Sequence, residues 1–415
     1  MKTVPGTKQG RLHWNASSIL VSLTIVTLTL CIKQDTPVAS PSVYEKTINK
    51  TVSTSNNVTG AHPSSSIYTE NHFWLPRQLQ ATRYRFPRSR QESSAETTTR
   101  SDRPIIVVGI LSAAATPERR EWVRNTWLHN QTTSAFFLVG GNWTDELATE
   151  FEQYRDLLWV DTPEGYRRLT EKVAGFCAVI AQELDPSSYD YVMKTDDDSY
   201  VVLDDMIDQI LVPDHKKKLT ANVTTQQQPH YLYTGGGCEQ SIVKRDPANK
   251  WYVSEEDFAL ERYPPYALGN GYFLSRDLVS CVVRQNYLLV DPNTMTSQEA
   301  HERQLLPGMF PVEDAFLGLL VQNCNGSSCL QDDRRFKNQL PRPIVRRGKL
   351  EEWLKSITNT KSPPLIHGIK TQGEMERFHY ERCCAPIYGN TTLSICGLVQ
   401  CGVADKKKNL LRQAH

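Results

Sequence analysis

The chain has almost no net charge, with 47 basic side chains against 46 acidic ones, and only 22% of its 415 residues are charged. It lacks the charge excess that keeps a chain solvated and unfolded. One long uncharged apolar run is present and no more, which excludes a polytopic membrane protein. There is no internal repeat and no glycine-rich dinucleotide fingerprint, which argues against a nicotinamide-dependent enzyme. The length allows roughly two to three domains, one with a large buried core, and excludes a disulfide-stapled miniprotein. The missing net charge is itself uneven. Residues 1–32 carry +3, residues 33–103 carry +4 and residues 403–415 carry +3, which leaves −9 on residues 104–402.

The apolar run is Ala16–Ile32, seventeen residues preceded by Lys2, Lys8 and Arg11 and by no acid. Basic residues on that side predict a signal-anchor with residues 1–15 cytosolic and everything after Ile32 lumenal. Cleavage near Val38-Ala39-Ser40 is the competing reading, but that site lies far beyond the apolar run. Seven N-x-S/T sequons follow the anchor, at Asn49, Asn57, Asn130, Asn142, Asn222, Asn325 and Asn390, and nine of the ten cysteines do too. Both features fit an oxidising, glycosylating compartment. Spacing suggests a local Cys324–Cys329 bridge and a cluster among Cys383, Cys384, Cys396 and Cys401. The odd count leaves one thiol free or intermolecular, and Cys177 is the candidate, with the stem or this cysteine as a route to a homo-oligomer.

Residues 33–103 are rich in Ser, Thr, Pro and Asn without a sustained apolar period, and read as a flexible stem. Arg77–Arg90, with five arginines and no acid, reads as a solvated basic stretch in preference to a processing site or an anionic-glycan contact. At Pro104 the composition changes. Strand-like runs at 105–111, 136–139, 158–160 and 191–193 alternate with helix-like runs at 118–128, 145–158 and 169–184. The expected fold is α/β with a mostly parallel central sheet over residues 104–403, followed by a basic tail at 404–415. Ligands in such sheets gather at the carboxyl ends of the strands.

Lys194-Thr-Asp196-Asp197-Asp198-Ser-Tyr-Val201 places three adjacent carboxylates just after an apolar strand. Side by side they repel, so they need a cation or broad solvation, and oxygen ligands favour Mg²⁺ or Mn²⁺ over Zn²⁺. Glu313-Asp314 before Ala-Phe-Leu-Gly318 is either an acid pair at a helix N-terminus or a catalytic pair. Gly269 and Gly271 allow close approach of the backbone to a ligand. Trp251, Tyr252, Tyr263 and Tyr266 offer faces for a sugar to stack on, and core packing accounts for any one of them equally well.

Several ordered blocks resemble one family, the β-1,3-glycosyltransferases of glycosyltransferase family 31. They are Arg120-Glu-Trp-Val-Arg124-Asn-Thr-Trp127, Asp161-Thr-Pro-Glu-Gly-Tyr166 running into Leu169-Thr-Glu-Lys172, the triple aspartate, Lys250-Trp-Tyr-Val-Ser254, Tyr263-Pro-Pro-Tyr266-Ala-Leu-Gly269-Asn-Gly271-Tyr, and Glu313-Asp314-Ala-Phe-Leu-Gly318. The resemblance implies a GT-A fold, a type II Golgi membrane protein, a UDP-sugar donor and Mn²⁺ or another divalent cation. It implies Asp198 and His367 as metal ligands, with Asp196 and Asp197 on the ribose and on the metal's hydration shell. Asp314 matches the base, and Glu313, Trp251, Tyr252 and Tyr266 fall among acceptor or donor-sugar contacts. Lys172, Gly269 and Gly271 fall at the donor site, as do Arg120 and Arg124 unless these two only brace the first helix. Asn270 stands where many relatives have glycine, which leaves the donor sugar open.

The expected activity is inverting transfer, with galactose as donor sugar and a galactose-type acceptor on a glycoprotein or proteoglycan glycan, the glycosaminoglycan linker among them. Transfer of N-acetylglucosamine is the near alternative, and a non-catalytic lectin-like member of the same fold is the distant one. The intact acids at 196–198 and 314 argue against the lectin. The expected partners are the sugar nucleotide, the glycan and one membrane, with no nucleic acid.

Overall fold

A computed structural model describes residues 67–76, 80–87, 103–129, 133–221, 229–306, 308–324, 331–332, 336 and 365–383. The expected signal-anchor, the expected Cys329 and Cys383–Cys401 pairings and the basic tail lie outside these residues. Among the described residues no helix is long and apolar enough to cross a membrane.

The sheet is built from β1 (Tyr68–Trp74), β2 (Ala81–Pro87), β3 (Ile106–Leu111), β4 (Ser134–Val139), β5 (Leu157–Val160), β6 (Tyr191–Asp196), β8 (Tyr233–Glu239), β9 (Tyr266–Ser275) and β10 (Gln331–Asp332). A two-stranded annex pairs β7 (Ser199–Val201) with β11 (Leu365–His367). Sheet order is β1-β2-β5-β4-β3-β6-β9-β8-β10. The centre, β5-β4-β3-β6, is parallel, while β1, β2 and β9 run antiparallel to their neighbours. The expected α/β sheet is therefore present, with a parallel middle and mixed flanks.

Ile106-Val-Val-Gly-Ile-Leu111 is buried throughout, as a central parallel strand covered on both faces must be. Its side chains alternate between two cores. Val107 and Leu111 face a core shared with Phe176, Leu278 and Phe316, and Ile106, Val108 and Ile110 face one shared with Val123, Phe151 and Phe378. The helices α1 (Pro117–Arg124), α2 (Asp145–Tyr154), α3 (Leu169–Glu183), α4 (Leu203–Met206), α5 (Val212–Ala221), α6 (Arg276–Gln285), α7 (Ser297–Leu305), α8 (Glu313–Gln322) and α9 (Gln372–Cys383) complete the layers. Local chemistry sets several starts: Pro117 at the first turn of α1, Thr144 capping α2, and a Thr296–Glu299 capping box on α7. At Gly109 an added Cβ would meet the Phe176 ring at 2.5 Å, so the glycine lets α3 lie directly on β3.

Several expectations are corrected here. Residues 68–87 fall inside the expected stem, yet β1 and β2 form a hairpin whose second strand pairs with β5. Thr82, Tyr84 and Phe86 are buried at alternate positions, a period-2 pattern too short and too interrupted by arginine to stand out from its surroundings. Of the arginines of that stretch, the two described are not simply solvated: Arg85 stacks among Tyr68, Trp143 and Trp159 and pairs with Glu70, and Arg83 pairs with Asp161. Cys324 bonds to Cys281 rather than to Cys329 and ties the end of α8 to α6 across 43 residues. Cys177 is free as expected, but it is 1% exposed on α3 and burial pushes its thiol up to about 12, so it cannot reach a second chain.

Candidate active site

The acidic triplet sits where β6 ends, at the carboxyl edge of the parallel block, and its three carboxylates diverge. Asp196 and Asp198 turn toward His367, whose Nε2 lies 3.1 Å from Asp198 Oδ1 and 3.5 Å from Asp196 Oδ2. The annex makes this meeting possible: His367 is in register with Ser199, and the Gly368 and Ile369 amides donate to the Asp198 carbonyl at 3.0 and 2.9 Å. One ligand atom from each of Asp196, Asp198 and His367 falls within 4.8 Å of the others. Two carboxylate oxygens and an imidazole nitrogen form a donor set suited to Mn²⁺ and its neighbours. Burial works against a charged His367, but its hydrogen bonds to Asp196 and Asp198 prevail and hold it protonated, with a pKa of about 9. Burial likewise opposes the Asp198 charge, and His367 and Lys370 overcome it, so Asp198 stays ionised far below the usual range. Lys370 Nζ reaches Asp198 Oδ2 at 2.5 Å. A divalent ion here would have to displace the His367 proton, which makes its binding pH-dependent.

Asp197 points the other way, accepting from Ser112 Oγ at 2.8 Å and Arg119 Nη1 at 3.3 Å, and burial raises its pKa. Lys172 is buried behind it, with Nζ on the Ser112 carbonyl at 3.0 Å and on Glu164 at 2.6 Å. Glu164 also accepts from the Ala114 and Gly140 amides, which pins the loop after β5 to the ends of β3 and β4.

Arg120 touches this group through Ser112 Oγ at 3.3 Å, while Arg124 makes no contact with it. Arg120 is fully buried and forks onto Glu150 at 2.8 and 2.5 Å, while Arg124 bridges Glu150 and Asp156. They lock α1 to α2, so bracing the first helix accounts for both.

On the other side of β6, Asp314 and Glu313 open α8. Asp314 is half-buried, with Oδ2 accepting from the Gly269 amide at 3.0 Å and Oδ1 from the Ala315 amide at 2.9 Å. Burial raises its pKa, against the pull of Lys194. Glu313 turns inward, with Oε1 accepting from Tyr272 at 2.7 Å and Oε2 facing Lys194 Nζ at 3.2 Å. Burial raises Glu313 to about 7. A residue 7% exposed beneath β9 does not face a sugar, which corrects its expected place among the sugar contacts. Gly269 does let two elements approach closely: a Cβ there would lie 3.1 Å from Glu313 Oε2 and 3.5 Å from Asp314 Oδ2. Gly271 serves packing, since its Cβ would strike Leu365 at 2.6 Å and push away the strand that carries His367.

The aromatic candidates divide. Tyr263 is core, stacked between Phe258 and Phe310, and Tyr266 hydrogen-bonds Ser241 at 2.8 Å. Trp251 is on the surface, 48% exposed, with its indole N–H on Tyr166 Oη at 3.0 Å; Tyr252 receives Arg167 on its carbonyl. Residues that carried no role in the sequence reading now occupy the site: Lys194, Lys370, Arg119, Ser112 and Glu164. For Lys194 a signal existed, because positions 194 and 196 share a face of one strand.

A cluster of two carboxylates and an imidazole thus stands at the carboxyl ends of parallel strands, next to a half-buried aspartate on a helix N-terminus, in an α/β fold. The sequence profile of the galactosyltransferase family, described as Galactosyltransferase, matches residues 118–289. A β-1,3-galactosyltransferase 5 from Pan paniscus is 30% identical over 246 residues, 55% of this chain and 68% of that one. The Arabidopsis thaliana β-1,3-galactosyltransferase GALT1 is 29% identical over 191 residues, 43% of this chain and 27% of that one. A mouse acetylgalactosaminyl-O-glycosyl-glycoprotein β-1,3-N-acetylglucosaminyltransferase is 26% identical over 252 residues, 57% of this chain and 56% of that one. The match thus spans little more than half of the mouse enzyme and about a quarter of the plant one. The chain belongs to this galactosyltransferase family, glycosyltransferase family 31.

Proposed function

We propose that the protein is an inverting β-1,3-glycosyltransferase that moves galactose from a UDP-sugar to a galactose-type acceptor on a glycoprotein or proteoglycan glycan, such as the glycosaminoglycan linker. The observation that carries the reading is the pairing, across one strand, of the Asp196–Asp198–His367 cluster with the half-buried Asp314. Asp196, Asp198 and His367 would hold Mn²⁺, which supplies Lewis-acid stabilisation of the charge developing on the departing diphosphate.

The rest falls to the chain's own groups. Two backbone amides fix Asp314, so its carboxylate is already oriented when an acceptor arrives. It takes the proton of the acceptor 3-hydroxyl as that oxygen bonds to the anomeric carbon and the bond from that carbon to the diphosphate oxygen breaks. Burial brings its pKa toward the range useful to a general base. Lys370 and Arg119 place positive charge on either side of the acidic triplet, where an anionic donor would otherwise be repelled. The basic N-terminus, the single apolar run and the lumenal sequons support a type II Golgi membrane protein.

Turnover of UDP-galactose and UDP-N-acetylglucosamine with xylosyl-galactose and simple β-galactoside acceptors tests the assignment. Asp314→Asn is expected to lower kcat by about 10²–10⁴-fold, and chelation to abolish turnover. Normal turnover in Asp314→Asn would remove the base, and no turnover with any donor would favour a lectin-like member.

A further inference from the structure

Lysine is rarely buried unless all three of its donors find partners. The Lys194 side chain is 2% exposed, at the centre of the site, and the mechanism above gives it no step. Its ammonium donates to Asp196 Oδ1 at 2.9 Å, to Glu313 Oε2 at 3.2 Å and to the Gly269 carbonyl. The three partners sit on three elements: the end of β6, the start of β9 and the first residue of α8. With Oδ1 of Asp196 held by Lys194, its Oδ2 is the oxygen turned toward His367. The Gly269 backbone is gripped on both sides, its carbonyl by Lys194 and its N–H by Asp314 Oδ2. A side chain on Gly269 would crowd this group, since a Cβ would lie 3.5 Å from Lys194 Nζ.

We infer that Lys194 is a positioning residue that couples the two halves of the site: it orients Asp196 for the cation and, through the Gly269 backbone, orients Asp314 for the acceptor. This rests on the reading of Asp314 as the base. A lysine that merely neutralised buried acids would affect stability and leave the folded molecules normal. A coupling lysine changes both subsites at once, because Asp196 loses the contact that fixes which oxygen it presents and the Gly269 backbone, whose N–H holds Asp314 Oδ2, loses its anchor.

The test is a Mn²⁺ titration of the full chain in detergent, read by calorimetry, beside kcat at saturating Mn²⁺. Lys194→Met is expected to weaken Mn²⁺ binding by about 10–100-fold and to lower kcat by a similar factor, with the donor KM changed far less. If this variant does not fold, Lys194→Met/Glu313→Gln, which removes the acid left without its cation, is expected to fold and to keep both losses. Unchanged Mn²⁺ affinity in a folded variant overturns the inference whether or not any donor is turned over, which separates it from failure of the transferase reading. Weakened Mn²⁺ binding with kcat intact at saturating metal overturns the link to Asp314.

Discussion

Arg120 shows how one buried charge divides labour with its neighbours. Its guanidinium has no exposure, forks onto Glu150 and also reaches the Ala113 carbonyl at 2.5 Å beside the Ser112 that holds Asp197. Removing it leaves Glu150 with Arg124 as its remaining cation and frees the Ser112 and Ala113 acceptors, so Arg120→Ala is expected to cost up to about 3–5 kcal/mol in denaturant unfolding. Glu313 makes the complementary point. Burial raises its carboxyl from 4.5 to about 7, so the folded chain holds that proton more tightly than the unfolded one. The resulting stability is complete below about 4.5 and is lost as pH rises through about 7. Glu313→Gln keeps a neutral group throughout, and its stability relative to the parent chain should grow across that window; equal pH dependence of the two in urea unfolding would refute the assignment. Neighbouring acids of the same helix turn thus do different work, and adjacency in sequence could not say which faces outward.

At the scale of elements, α8 is held at both ends. Its N-terminus is fixed by the Lys194 and Gly269 contacts, and its C-terminal side by the Cys281–Cys324 disulfide to α6. A bridge closing a loop of 43 residues contributes about 4 kcal/mol in the chain-entropy account. Cys281→Ala/Cys324→Ala should lower stability by up to that amount in guanidinium unfolding and raise hydrogen exchange in the last turns of α8, while the donor KM stays close to normal. The β7–β11 annex is the other decisive element. Three residues, Leu365-Ile-His367, have no periodicity to detect, and only their pairing with Ser199–Val201 brings an imidazole 169 residues away in the chain to the aspartates. The family resemblance pointed to His367, whereas composition and pattern alone would have left it as a histidine near a loop.

For the whole molecule, the sheet begins well before the compositional change at Pro104. β2 covers the edge of β5, the Trp74 amide donates to the Leu288 carbonyl at 2.6 Å, and Arg303 reaches the Leu75 carbonyl, so the hairpin is tied to distant parts of the fold. A soluble chain beginning at Ser65 should be expressed folded and melt cooperatively. One beginning at Arg103 would expose the β5 edge and the contacts of Phe73, Tyr84 and Phe86, and is expected to aggregate or melt at lower temperature. The sequence by itself determined the alternation of strands and helices from 104 to 196, the acidic turn at the end of β6 and the acid pair opening α8, because period, burial and turn chemistry are local. Only the tertiary structure decided that Asp197 turns from Asp196 and Asp198, that Arg120 and Arg124 lock α1 to α2, that residues 68–87 belong to the sheet, and that Lys194 stands between the two acidic groups. Those outcomes depend on which side chains meet across elements far apart in the chain, and the burial that shifts a proton or satisfies an ammonium exists only once those elements have packed.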